Sequence, residues 1–246
     1  MLAVPSPSAR AEPRRFYAGF ALACAVIAVA GFVPTFWLPL AGGRLQLAPI
    51  VLVHAAVFYA WILLFVAQTL LATAGRYDRH RALGVVGVLL ALAMLVVGWM
   101  AALHSFHAQA AAGHADRAGP FLIGPLTNVL FFAGAVTVAA LNVRRPEIHK
   151  RLMVLDTVAV LLPAVARMLL FAAGGTGAIA PPPVQATLVP ALLVDLLLVA
   201  AVVHDWRTRG RPHPVYVIGG ALLVAVQIGR IPVAMTPAWQ SVVEWF

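Results

Sequence analysis

The residues best equipped for chemistry in this chain are its eight histidines, and two of them sit in a motif written twice. The stretch "GRYDRHRALG" holds Arg76, His80, Arg81 and Leu83, and 69 residues later "VRRPEIHKRLM" repeats the spacing with Arg145, His149, Lys150 and Leu152. Neutral imidazole ligates metal ions and haem iron, and it titrates near physiological pH. His80 and His149 therefore form a first candidate pair of axial ligands, and His54 with His104 or His107 a second. A weaker echo sets Arg209 four residues before His213, which is followed by a proline suited to an early helical position. Repetition on this scale points to duplication of a helical hairpin. Histidines that only cap helices or meet lipid headgroups would give the same pattern.

The segment "HSFHAQAAAGHAD" offers a different chemistry. His104 and His107, at i and i+3, share a helical face and supply two metal ligands, with His114 as a third. A hydrated loop explains this segment equally well.

A third group lies within apolar runs, where ionisable side chains are expensive and default to functional candidates. It comprises Asp156, Asp195, Gln68, Gln227, Arg167 and Arg230. His149, Asp156, Pro163 and Arg167 are spaced by seven, seven and four residues, which puts them on one helical face. Pro163 is expected to kink that helix and free a carbonyl. His54, Phe58, Trp61, Phe65 and Gln68 form a comparable stripe. An Arg–Asp pair between neighbouring helices would satisfy Asp195 and one arginine. The second arginine then faces an anionic or carbonyl-bearing ligand, such as a haem propionate or a quinone.

The elements that position these residues follow from composition. At 63% hydrophobic and 10% charged residues, with a mean hydropathy of +0.95, the 246-residue chain cannot cover a water-soluble surface. A lipid bilayer is its expected partner and solvent. Seven segments, at 16–38, 49–74, 81–103, 121–143, 150–173, 186–205 and 214–234, have the roughly 20 apolar residues that a spanning helix needs. The alternation of a membrane β-barrel is absent. The reading is an all-α, integral membrane seven-helix bundle, a single transmembrane domain over 1–246 joined by loops of roughly ten to eighteen residues.

Charge sets the orientation. Arg10, Arg14, Arg15, Arg76, Arg79, Arg81, Arg144, Arg145, Lys150, Arg151, Arg207, Arg209 and Arg211 fall on one side, which is 13 of 17 cations. Only Arg44 and Arg117 fall in the opposite connections. The N-terminus is then cytoplasmic and the C-terminus outside, in a bacterial cytoplasmic membrane. Phe36, Trp37, Trp99, Trp206, Trp239 and Trp245 fall near the interfaces where aromatic rings prefer to sit. Topology thus accounts for the net charge of +9, and no nucleic-acid partner is expected. Arg14, Arg15 and the small residues Ala28 to Gly31 also fit a cleaved secretory signal, but the apolar run continues to Leu40.

Several chemistries drop out. Cys24 is the only cysteine, so no intramolecular disulfide forms, and there is no CxxC or CxxCH. Lys150 is the only lysine, which excludes a Schiff base in the seventh span. No phosphate loop and no Ser–His–Asp arrangement is legible. "APPPVQ", Ala180 to Gln185, reads as a stiff connection.

The run "HAAVFYAWILLFVAQTLLATAGRYDRHRALGVVGVLLALAMLVVG" and the later "RRPEIHKRLMVLDTVAVLLPAVAR" resemble an uncharacterised family of bacterial multi-pass inner-membrane proteins. That family has a helix-initial histidine and His-Arg-x-Leu-Gly cytoplasmic turns, and the likeness covers roughly residues 50 to 170. The same features are more distantly similar to cytochrome b561-type helices. That similarity implies haem b held by His54, His80 and His149. The fourth span departs from it, offering only Asn128 and Asn142 in place of histidine.

The functional expectation is a haem- or quinone-linked redox or accessory membrane protein. The alternatives are a small-solute transporter or exporter using Asp156, Asp195 and the arginines as a polar path, and a non-catalytic assembly or sensory protein. Topology is directly testable: a phosphatase fused after Trp239 should be active and a fluorescent protein fused there dark, and the reverse result would invert the orientation.

Overall fold

The computed structural model describes residues 14–175 and 180–246. Arg10, one of the cations counted above, lies outside the described residues. The chain is all-helical, with no strand among the described residues, and seven of its helices are long and apolar enough to cross a membrane. In chain order the elements are α1 (Arg14–Phe32), a π-helical turn (Val33–Trp37) and α2 (Leu38–Ala41), then α3 (Pro49–Thr73), α4 (Tyr77–Ala111) and α5 (Ala115–Leu141). There follow α6 (Pro146–Ala159), α7 (Leu162–Ala172), a 3-10 turn (Val184–Thr187), α8 (Leu188–Arg209), α9 (Pro214–Ala234) and α10 (Pro237–Val243).

Local chemistry explains many of the boundaries. Proline stands in the first turn of α3, α6, α7, α9 and α10, where its missing N–H costs nothing. The helix α8 ends at Gly210, whose φ of 74° is left-handed and open to glycine without strain. Pro34 breaks the ladder of the first span, and the Leu38 N–H reaches back five residues to the Val33 carbonyl.

One sequence expectation changes here, and the kink expected at Pro163 is borne out. The third span was expected over 81–103, but α4 runs from Tyr77 to Ala111 and is about 52 Å long at the α-helical rise. Its extension, "SFHAQAA", is rich in alanine, the strongest helix former, so His104 and His107 are helical and only residues 112–114 turn. Connections are correspondingly short, and 74–76 and 142–145 join the two repeated hairpins. The fifth span, expected over 150–173, is two helices broken at Val160 and Leu161. Pro163 has no N–H for the Ala159 carbonyl and forces this break.

The broken span is the centre of the bundle. The helix α1 packs on α3 and α7, α4 lies between α3 and α5, and α5 also packs on α6 and α9. The helices α6 and α8 both pack on α9, while α7 rests on α1 and α8. Eight consecutive-turn residues of α6, from Arg151 to Ala159 with only Met153 excepted, are buried, whereas α3 buries only Trp61, Ile62 and Phe65. Peripheral helices turn Leu63, Val85 and Ile218 outward, an apolar exterior that suits a lipid bilayer. Cys24 is a small buried residue in the core that α1 contributes.

Because lipid is as apolar as leucine, helices associate by close packing of small residues. At Gly31 a Cβ would collide with the Ala164 backbone of α7, so α1 and α7 touch there almost main chain to main chain. Gly98 plays a similar part between α4 and the Val129 and Phe58 side chains. Gly31→Val should therefore cost about 1–3 kcal/mol, read as a lower midpoint of thermal unfolding in detergent. A neighbouring change at outward-facing Val29 should leave the midpoint unmoved.

Candidate functional site

The repeated motif builds the same clasp twice. His80, in the first turn of α4, places Nδ1 3.2 Å from the Gln68 carbonyl near the end of α3. The Gln68 side chain returns the bond, its Nε2 donating to the His80 carbonyl at 3.0 Å. In the second hairpin His149 Nδ1 lies 2.9 Å from the Ala139 carbonyl near the end of α5. A carbonyl only accepts, so each Nδ1 carries the proton and each Nε2 keeps its lone pair. The two rings meet at 6.3 Å between centroids, nearly perpendicular at 87°. Beside them Gln68 Oε1 is buried with no partner.

The third echo works differently. His213 caps α9, its Nδ1 accepting from the Val215 N–H at 3.1 Å, so this ring has the opposite tautomer. Burial, with Arg151 and Arg209 nearby, holds it below the usual histidine range, which keeps the accepting nitrogen free of a proton.

The same end of the bundle holds a buried charge network. Arg151 and Asp205 have no exposed side-chain surface and form a two-pronged pair, Nε to Oδ2 at 2.8 Å and Nη2 to Oδ1 at 2.5 Å. The third arm, Nη1, donates to the carbonyl and carboxylate of Glu147 at 2.9 and 2.6 Å. Asp205 Oδ2 also accepts from the His213 N–H at 3.1 Å, and Arg209 stands 3.9 Å away. One carboxylate thus ties α6, α8 and the start of α9 together. Arg151 entered the sequence reading only as a topological cation. The available signal was Asp205 itself, an acid at the end of an apolar span in a chain with only eight acidic residues.

The helix α3 meets the broken span at one point of its stripe, Trp61. Trp61 Nε1 of α3 donates to Thr157 Oγ1 of α6 at 3.3 Å, and Thr157 in turn donates to Asp156 Oδ1 at 3.1 Å. Toward the basic end the seam closes on Gln68, His80 and His149. At the far end Arg167 of α7 lies 4.5 Å over the Phe32 ring and within electrostatic reach of His54 and Tyr59. Arg167 Nη1 donates to the Pro163 carbonyl at 3.1 Å. Tyr59 is fixed by two bonds, accepting from Trp37 Nε1 at 3.2 Å and donating to the Ala28 carbonyl at 3.1 Å. The π turn delivers Trp37 to this position.

Other expected groupings do not assemble. Asp195 pairs with neither arginine: its Oδ1 accepts from Gln227 Nε2 at 3.4 Å, while Arg230 Nη2 donates to Thr187 Oγ1 at 2.9 Å. Arg167 and Arg230 occupy different interfaces, the first against α1 and α3, the second beside Gly124 of α5. The two arginines therefore stand in separate surroundings. His54 rests on Phe58 at 4.1 Å, whereas His104 and His107 are exposed on α4, so no second histidine pair forms. Among the described residues no three of His, Cys, Asp or Glu converge to hold a metal ion, His104, His107 and His114 included.

Fold and site together define an all-helical chain with seven candidate membrane spans and a polar seam through its centre. No protein-family model, no curated protein and no solved structure matches this chain.

Removing one partner of a fully buried pair strands the other charge, so Arg151→Ala should cost about 3–5 kcal/mol. Glu147→Ala, at a half-exposed carboxylate, should cost less than about 1 kcal/mol. Chemical unfolding in detergent measures both, and equal losses would show that the buried pair is not what holds this end together.

Proposed function

We propose that this chain is a multi-pass protein of a bacterial cytoplasmic membrane, N-terminus inside, with a haem-linked redox or accessory role. In this reading His80 and His149 would hold haem b, and the basic end of the bundle is cytoplasmic. One observation carries it. The two copies of the repeated motif bring their imidazoles together, each with Nδ1 held by a main-chain carbonyl. That is how proteins orient a ligating histidine and leave Nε2 to the metal. The resemblance of residues 50 to 170 to basic-turn inner-membrane proteins, and more distantly to cytochrome b561-type helices, points the same way.

The donor chemistry fits: each Nδ1 proton is held by a main-chain carbonyl, which would leave Nε2 of His80 and of His149 to hold the iron. Bound there, haem would supply one-electron chemistry. The protein's own part is to hold both rings in one tautomer and to shield the site with apolar helices.

Arg167 has a separate role. It lies 18 residues beyond His149, about 27 Å along the helix axis, too far to reach propionates of a haem held at the histidines. Its guanidinium, set among Phe32, His54 and Tyr59, suits a quinone carbonyl or another anionic headgroup at the far side. Arg230, satisfied in part by Thr187, is a structural cation in this reading.

Protein purified from cells supplied with haem should show a Soret band. His80→Ala and His149→Ala should each abolish or shift it, and His54→Ala should leave it in place. A featureless spectrum of wild-type protein would end the haem reading.

A further inference from the structure

Three buried polar atoms without a hydrogen-bond partner lie along the seam between α3 and the broken span: Gln68 Oε1, Asp156 Oδ2 and His54 Nδ1. Gln68, Trp61 and His54 are seven residues apart on α3, so their levels are spaced by about 10 Å. Asp156 joins at the middle level, through Thr157 and its bond to Trp61. The three orphan atoms therefore sit at the two ends and the centre of one line. Buried polar atoms are rarely left unpaired, and rows of them mark sites filled by water or an exchanged ion.

Asp156 is the most costly of the three. It has no exposed surface, and among the described residues no cation pairs with it. Thr157 links it to Trp61 of α3, whose ring stands 4.8 Å from Phe132 of α5. Of the other ionisable groups of neighbouring elements, Asp205 pairs with Arg151, while Asp195 and Arg230 bond Gln227 and Thr187 and each keep one buried atom, Oδ2 and Nε, without a partner. His54 and Arg167 lie toward the far end, His80 and His149 toward the basic end. The break at Val160 and Leu161 begins one turn after Asp156, leaving the Ala159 carbonyl without its usual donor. Discontinuous helices with a carboxyl at mid-membrane are where transport proteins handle coupling protons and ions.

We propose that Asp156 is an intramembrane proton carrier, the middle station of a path along this seam. A proton from water at the basic end passes Gln68 Oε1 and binds Asp156 Oδ2, turning the carboxylate into a neutral acid. It leaves along water that donates a hydrogen bond to His54 Nδ1 and passes to bulk water at the far side, so no imidazolium forms beside Arg167. No electrons move, and each passage carries one positive charge across. Water admitted beside the helix break spans the intervals. The path uses neither Nε2 of the histidine pair, so it stands or falls independently of haem binding.

The test uses full-length protein reconstituted in liposomes containing a pH-sensitive dye, with a potassium diffusion potential as the driving force. Wild type should acidify the lumen roughly ten-fold or more faster than protein-free vesicles, as a neutralised intramembrane carboxyl allows. Asp156→Asn should fall to the vesicle background, Asp156→Glu should retain flux, and Asp78→Asn, at an exposed turn, should behave as wild type. Should Asp156→Asn aggregate, His54→Ala leaves the centre of the bundle intact and should show the same loss. Wild-type flux at background, undiminished flux in Asp156→Asn or His54→Ala, or a folded but silent Asp156→Glu would each overturn the proposal.

Discussion

A helix that carries Arg151, Asp156 and Thr157 cannot face lipid. Each polar group exposed to hydrocarbon costs several kcal/mol, and a charge costs more. The remaining spans must therefore wrap α6, while α7 beyond the break turns Met168 and Phe171 outward. The outer helices can be almost wholly apolar because they have only lipid and one another to meet. Small residues let α1 approach α7 until their backbones touch at Gly31 and Ala164.

The buried network around Arg151 shows how that constraint is met at one end. A planar guanidinium presents its donors in a fixed fork, and here Asp205 and Glu147 take the donors on all three nitrogens. Asp205 is correspondingly saturated by Arg151, the His213 N–H and the approach of Arg209. Toward the centre the same bookkeeping is left incomplete. Asp156 and Gln68 each keep one oxygen, and His54 one nitrogen, without a hydrogen-bond partner. The saturated network holds helices together, whereas the line through Asp156 leaves buried polar atoms unpaired.

The repeated motif is part of the same architecture. A histidine at the start of a helix, bonded to a carbonyl near the end of the preceding one, closes a hairpin with a three- or four-residue turn. Two such hairpins side by side bring the two imidazole rings to 6.3 Å between centroids.

Much of this was legible in the sequence, and for definite reasons. Hydropathy alone determined seven spans, because a bilayer demands about 20 apolar residues whatever the neighbours are. Helical periodicity determined the two polar stripes, and the missing N–H of Pro163 determined the break. Periodicity cannot say which helices adjoin, so only the tertiary structure decided that α3 meets the broken span through Trp61 and Thr157. It likewise paired Arg151 with Asp205, 54 residues away, a choice made by packing rather than by spacing. Asp195 was given to Gln227 and Arg230 to Thr187, although charge alone would have joined them. Composition and period act along one helix. Which polar group meets which depends on how the helices rotate and pack, and that is settled only when the whole bundle closes.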